Sequence, residues 1–372
     1  MIKTRAHTSV MSSPTRLARF HLDPWLLLGL LILIGLGCLV LYSAKQNLLM
    51  VQQQGFRFGI ALAFLILAAQ IPPPILSRFS PLLYGAGVCL LCLILLFGEI
   101  SKGGQRWLNL GFLRFQPAEI LKIAVPLMVA HYLSAEPLPP RWPAIGTALL
   151  IIFAPCYLVA KQPDLGTAIL IGSSGLVVLF LSGIPFKRLL VFLIVSLSCL
   201  PLLWFSMYDY QRQRVLTFFN QEADPLGKGY QILQSKIAIG SGGLFGKGWL
   251  KGTQSQLDFL PERATDVIFA VFSEEFGLLG AVILLGLYFG IFARGMIISV
   301  QADDSFSRLV AGTFSTALII YVFVNIGMVT GLLPTVGVPL PLISYGGSSI
   351  VTLLISFGIL MSIATHKRLL PR

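Results

Sequence analysis

The stretch 259–280, FLPERATDVIFAVFSEEFGLLG, places Asp266 at the edge of a long apolar run, with Glu274 and Glu275 inside it. A carboxylate near lipid is costly and needs a task or a partner. On a helix, Ser273 falls about 20° from Asp266 and Glu274 about 80° from it, while Glu275 lies nearly opposite. Asp266, shallow and beside Arg263, is therefore the general-base candidate. Glu274 is expected to line the deeper part of the same pocket. Glu275 is expected to partner another helix, and Glu262 to be a loop ion-pair residue. The four histidines are His7, His21, His131 and His366. In the topology below none reaches Asp266, which removes Ser-His-Asp chemistry and a zinc site there.

A second constellation is QPAEILK (116–122), where Glu119 and Lys122 share a helix face at i,i+3. One reading is a self-neutralising pair that tolerates burial. The favoured one is that ionisable groups in a span line a cavity. Arg57, Asp164 and Asp266 each lie near an outer span end, so a bundle would aim them all at one outward-facing pocket. Arg106, Lys102 and Lys122 would make it partly cationic, which suits phosphate. The stretch GSGGLFGKGW (240–249) lacks the spacing and the Ser/Thr of a nucleotide-binding loop. A flexible glycine loop near an anionic substrate stays open. The CLLC at 89–92 has no second pair and reads as packing. The segment 330–349, rich in Pro, Gly and Ser, reads as irregular backbone walling a cavity.

The elements that must position these residues are membrane helices. The chain has 372 residues, 56% hydrophobic and 11% charged, the composition of a polytopic membrane protein. The expected fold is all-α, with about ten transmembrane spans of roughly 17–25 residues. They run near 25–43, 57–72, 80–98, 117–134, 144–160, 165–183, 187–207, 267–293, 309–331 and 342–363. The first is expected to be a retained helix and not a signal peptide. With both termini cytoplasmic, the inner pieces hold thirteen Lys/Arg and four acids, net +9. The remainder holds fourteen and eleven, net +3. The net charge of +12 thus reflects topology and not nucleic acid. The expected organisation is a tail (1–24), one membrane domain (25–366) and a short tail (367–372). The long loop 208–265, rich in Gly and aromatics, is expected to form short helices over the outer face.

The motifs GGQRWL, QPAEILKIA, KQPDLGTA, GYQILQSKIAIGSGGLFGKG, SQLDFLPERATDVIFAVFSEEFG and GVPLPLISYGGSS occur in the order seen in the SEDS family (shape, elongation, division and sporulation). The chain resembles that family from about 25 to 366, and its elongation branch in KGWLKGTQSQLDFLPER. The resemblance implies ten spans and a peptidoglycan glycosyltransferase on the outer face of the bacterial cytoplasmic membrane. It implies lipid II and polyprenyl-diphosphate-linked glycan as substrates. Implied partners are a class B penicillin-binding protein as transpeptidase and other elongation-complex membrane proteins. The essential aspartate falls on Asp266, and the cavity pair on Glu119 and Lys122. The QPD motif falls on Gln162, Pro163 and Asp164, and the serine of SYGGSS on Ser344. Arg106 and Trp107 of GGQRWL join the substrate-binding candidates, with Arg57, Arg263 and Glu274. One departure stands out: the pattern P-E-x-H-T-D has Ala264 in place of its histidine.

The expected reaction is inverting. Asp266 takes the proton of an acceptor 4-hydroxyl, and basic residues offset the leaving diphosphate. Carboxylate and diphosphate oxygens could together hold a divalent cation such as Mg or Mn, without a dedicated cage. The alternative is a lipid II flippase, which would need ionisable groups reaching both faces.

Overall fold

The computed structural model describes residues 20–97, 116–188, 228–256, Leu260 and 262–366, the backbone of 99–101, 104–109 and 114–115, and scattered positions between 190 and 218. Six helices come first: α1 (Pro24–Lys45), α2 (Leu48–Ala69), α3 (Pro73–Phe97), α4 (Pro117–Ser134), α5 (Trp142–Lys161) and α6 (Leu165–Leu181). Two short ones follow, α7 (Lys228–Ser241) and α8 (Thr253–Gln256). Then come α9 (Ile268–Val300), α10 (Ser305–Val329) and α11 (Ser348–Thr365). The starts are encoded locally. Asp23, Asn47, Asp164 and Asp304 accept hydrogen bonds from first-turn N–H groups, and Pro24 and Pro117 open α1 and α4.

Seven helices among the described residues are long and apolar enough to cross a membrane. The shorter α6 is also apolar, with 17 residues, and α4 carries Glu119 and Lys122. The span expected at 187–207 lies largely outside the described residues. Trp25, Leu82, Leu150, Val282 and Phe289 are exposed around the bundle, as hydrocarbon-facing side chains must be. Small residues let helices meet: a Cβ on Gly358 of α11 would stand 2.4 Å from the Leu65 carbonyl of α2. At one end of the bundle Arg294 grips Asp23 at 2.6 Å, and His21 stacks on His366 with centroids 3.8 Å apart. The start of α1 and the end of α11 therefore share that end.

Three details differ from the sequence expectation. The described residues of 99–115 carry strands within a fold expected to be all-α. They form an antiparallel sheet of β1 (Glu99–Ser101), β2 (Gly104–Asn109) and β3 (Arg114–Phe115), in that order. The second helix begins at Leu48, not near 57: Asn47 caps it, and within the added turns Gln54 is buried and donates to the Ser344 carbonyl at 3.4 Å. The last span begins at Ser348, so 342–347 is irregular.

The long helix α9 is broken at Gly277, with φ 67 and ψ −166. The break unpairs backbone groups, and the glycine-rich loop before α8 takes them up. Lys247 N and Gly248 N donate to the carbonyls of Glu274 and Glu275 at 3.0 and 2.9 Å. Leu278 N and Leu279 N donate to those of Gly243 and Leu244 at 2.9 and 3.1 Å. Gly246 is required here. Its φ is 79, and a Cβ would stand 2.1 Å from the Glu275 carbonyl.

Candidate active site

Asp266 sits on the turn 262–267 that leads into α9. Thr265 N and Val267 N both return to the Glu262 carbonyl, at 3.0 and 3.4 Å, and Thr265 Oγ1 donates to Glu262 Oε2 at 2.7 Å. Three consecutive carbonyls of this turn are held from outside it. Tyr345 N donates to Ala264 at 2.8 Å, Ser344 Oγ to Thr265 at 2.6 Å, and Asn325 Nδ2 to Asp266 at 2.9 Å. The half-buried Asp266 carboxylate borders a cavity of about 90 Å³ that Gln231, Ser235, Met328 and Gly337 also line. Gly337 has φ 75, and a Cβ there would stand 3.4 Å from Asp266 Oδ2. Glycine keeps this wall both close and thin.

The segment 336–346 is irregular backbone packed among helices, and polar side chains satisfy it. Tyr288, fully buried, donates to the Pro341 carbonyl at 2.6 Å. Asn325 donates also to Val338 at 2.7 Å, and Leu340 N donates to Ser344 Oγ at 2.8 Å. Glycines on α1 and α6 admit it: a Cβ on Gly37 or Gly166 would lie 2.4 or 2.5 Å from the Leu342 or Val336 carbonyl. Arg57 lies over the Tyr345 ring, 4.6 Å from its centroid, and donates to the Gly346 carbonyl at 3.4 Å.

Behind this segment lies the pair of α4. Lys122 Nζ is 2.7 Å from Glu119 Oε1, Thr352 Oγ1 donates to Glu119 Oε2 at 2.9 Å, and both charged side chains are almost wholly buried. A cavity of about 30 Å³ opens beside them, lined by Lys122, Tyr321, Pro339, Ser344 and Thr352. The expectation of one outward-facing pocket is thereby corrected: Asp266 and Lys122 border different cavities, and the 337–344 wall stands between them. Asp164 is buried. It caps α6 through Thr167 N at 3.2 Å and accepts from Gln116 Nε2 at 2.8 Å.

A family model described as "Cell cycle protein" (FTSW_RODA_SPOVE) matches residues 15–369. The chain belongs to this family. It is 53% identical to the peptidoglycan glycosyltransferase MrdB of Escherichia coli K12, over 95% of this chain and 96% of that protein. It is similar in fold to a chain solved in work on the structural coordination of polymerization and crosslinking by a peptidoglycan synthase complex. There the TM-score is 0.81 and the identity 32%, over 92% of this chain and 97% of that one. The rod-shape-determining protein RodA of Thermus thermophilus matches with TM-score 0.70 and 30% identity, over 92% and 96%.

Against the family's motifs, the residues singled out in the sequence divide. Arg263 stands half-buried on the Asp266 turn. Arg106 and Trp107 fall on β2, with side chains outside the described residues. Ser344 both accepts from Leu340 N and donates to the Thr265 carbonyl, so its hydroxyl ties the wall to the Asp266 turn. Glu274 does not line the Asp266 cavity. It is fully buried, and its Oε1 accepts from Lys247 Nζ at 2.7 Å, Gln254 N at 3.0 Å and Thr253 Oγ1 at 3.1 Å. The helical angle misled because residues 262–267 are turn and not helix, so Asp266 and Glu274 share no continuous face. Glu275 accepts from Ser43 Oγ of α1. Ala264 is 5% exposed and serves the turn through its carbonyl, a role that needs no imidazole. Asn325, Thr352 and Gln116 were not foreseen. Their signal was available, as polar side chains inside or at the mouth of apolar helices.

Proposed function

We propose that the chain is a peptidoglycan glycosyltransferase that polymerises lipid II during cell elongation, with Asp266 as the general base. A polyprenyl-diphosphate-linked glycan is the donor, and an incoming lipid II the acceptor. Asp266 takes the proton of the acceptor's GlcNAc 4-hydroxyl. The 4-oxygen forms a bond to the donor's anomeric carbon, and the bond from that carbon to the diphosphate oxygen breaks. The α-linked donor becomes a β-1,4 linkage, and the proton ends on Asp266. Arg263, Arg106 and Arg57 offset the charge developing on the leaving diphosphate, and Lys122 contributes from the inner cavity. Among the described residues no three His, Cys, Asp or Glu stand together. A divalent cation such as Mg or Mn would then enter with the diphosphate.

The observation that carries this reading is a carboxylate at a cavity mouth whose turn is held at three successive carbonyls. A base must be fixed before the acceptor arrives. The charge bias of the loops and the meeting of α1 and α11 at one end support cytoplasmic termini, with Asp266 facing the periplasm. A class B penicillin-binding protein and other elongation-complex membrane proteins are the proposed partners, supported by the synthase-complex relative. The test is Asp266→Asn in liposomes with lipid II and the transpeptidase, scoring polymerisation and translocation separately. Polymerisation should fall by about 10²–10⁴-fold, the usual weight of a general base. Undiminished glycan synthesis would sink the assignment. Lipid II translocation by the wild type without synthesis would replace it with a flippase.

A further inference from the structure

A base on a turn keeps its geometry only as well as the backbone beneath it is held. Two of the three carbonyls gripped at 264–266 are held by neighbours in the wall, Ser344 and Tyr345. The third, that of Asp266 itself, is held by Asn325 from near the C-terminal end of α10. Asn325 is fully buried, and its amide nitrogen donates to two carbonyls at once: Asp266 at 2.9 Å and Val338 at 2.7 Å. The two acceptors settle the amide's orientation, since the flipped form would set Oδ1 against two carbonyl oxygens. Both N–H groups are therefore used, while Oδ1 is buried with no hydrogen-bond partner. An orphaned buried acceptor is a cost. The two donated bonds must outweigh it.

The two carbonyls come from opposite sides of the partition: Asp266 lines one cavity and Val338 lines the neighbouring one. One is the backbone of the base. The other adjoins Gly337, the thin wall facing Asp266 Oδ2. We infer that Asn325 is a positioning residue, whose single side chain clamps the base turn to the opposing wall. It thereby sets where the Asp266 carboxylate meets the acceptor hydroxyl. The inference rests on the reading of Asp266 as base.

Asn325→Leu removes both donors and the orphaned acceptor at similar size. Asn325→Ser keeps one short donor and leaves room for water, and serves if the leucine variant does not fold. Each is purified with the transpeptidase and assayed for kcat and KM on lipid II and for Tm, beside Asp266→Asn. For Asn325→Leu, kcat should fall about 10²-fold, the cost of a misplacement of about 1 Å. Tm should fall modestly, because two carbonyls lose their donors, while kcat per folded enzyme falls far more; KM should stay near wild type, and Asn325→Ser should fall between. An unchanged kcat in folded Asn325 variants, with Asp266→Asn inactive, overturns the clamp and leaves the base standing. Activity that falls only in step with Tm makes Asn325 structural and overturns the clamp as well. Full activity in Asp266→Asn removes both readings.

Discussion

Two Glu–Lys pairs with buried carboxylates, among the described residues, have the same separation, 2.7 Å, and opposite wiring. Glu119 and Lys122 lie one turn apart on α4. Their attraction joins nothing that the helix has not already joined, and they border a cavity. Glu274 and Lys247 lie 27 residues apart, and a single carboxylate oxygen collects Lys247, Thr253 and Gln254. That hub pins the glycine-rich loop to the break in α9, and no cavity among those described includes Glu274. A buried ion pair recovers its desolvation cost poorly. A pair that cross-links distant chain earns its place as architecture; a pair within one helical turn, beside a cavity and tied to α11 only through Thr352 among the contacts above, points to what enters the cavity.

Mutations can break this comparison. The largest effect is expected from Lys122→Met, which strands Glu119 in a low-dielectric site at about 3–5 kcal/mol. Adding Glu119→Gln should restore most of the Tm, since both charges are then gone, but not polymerisation. A fully active double variant would make the pair mere tolerated burial. A smaller effect is expected from Glu274→Gln. Its three donors lose a charged acceptor, at about 1–3 kcal/mol. The value is moderated because the Lys247 side chain is 28% exposed and its ammonium can rehydrate. Here activity should track the folded fraction, with KM for lipid II unmoved. A changed KM at full stability would bring Glu274 back to the substrate.

The weakest test lies at the far end of the bundle, where like groups meet near the surface. Burial, and then the facing His366, hold the His21 imidazole below its ordinary 6.5. The unfolded chain therefore takes up this proton first as pH falls. Stability from this site is full above pH 6.5 and is lost between that value and the lower folded one. Tm should decline on acidification below pH 6.5, less steeply in His21→Gln. Equal slopes would show that the stack contributes nothing.

Much of the site was legible in residue types. Charges are so scarce in this chain that each one inside an apolar run announces itself, which singled out Asp266, Glu119, Lys122 and Asp164. Their grouping was not legible. Angular arithmetic put Glu274 beside Asp266, and the turn at 262–267 separates them, with Glu274 taken up by Lys247, Thr253 and Gln254. Neutral polar residues that serve backbone, such as Gln54 and Asn325, give a weaker signal than a charge does. Their partners are main-chain carbonyls 290 and 59 or 13 residues away.

By itself the sequence determined the membrane class, most helix positions, the charge bias that orients them and the residues able to do chemistry. Each follows from local hydropathy, caps and charge, which act over a few residues. Only the tertiary structure decided that the Pro- and Gly-rich segment after α10 is a wall dividing two cavities. It also decided that one Glu–Lys pair faces a cavity while the other is a cross-link, and that the Asp266 turn is gripped at three successive carbonyls. Those depend on which carbonyls meet which donors across the bundle, and backbone carbonyls look alike in every sequence.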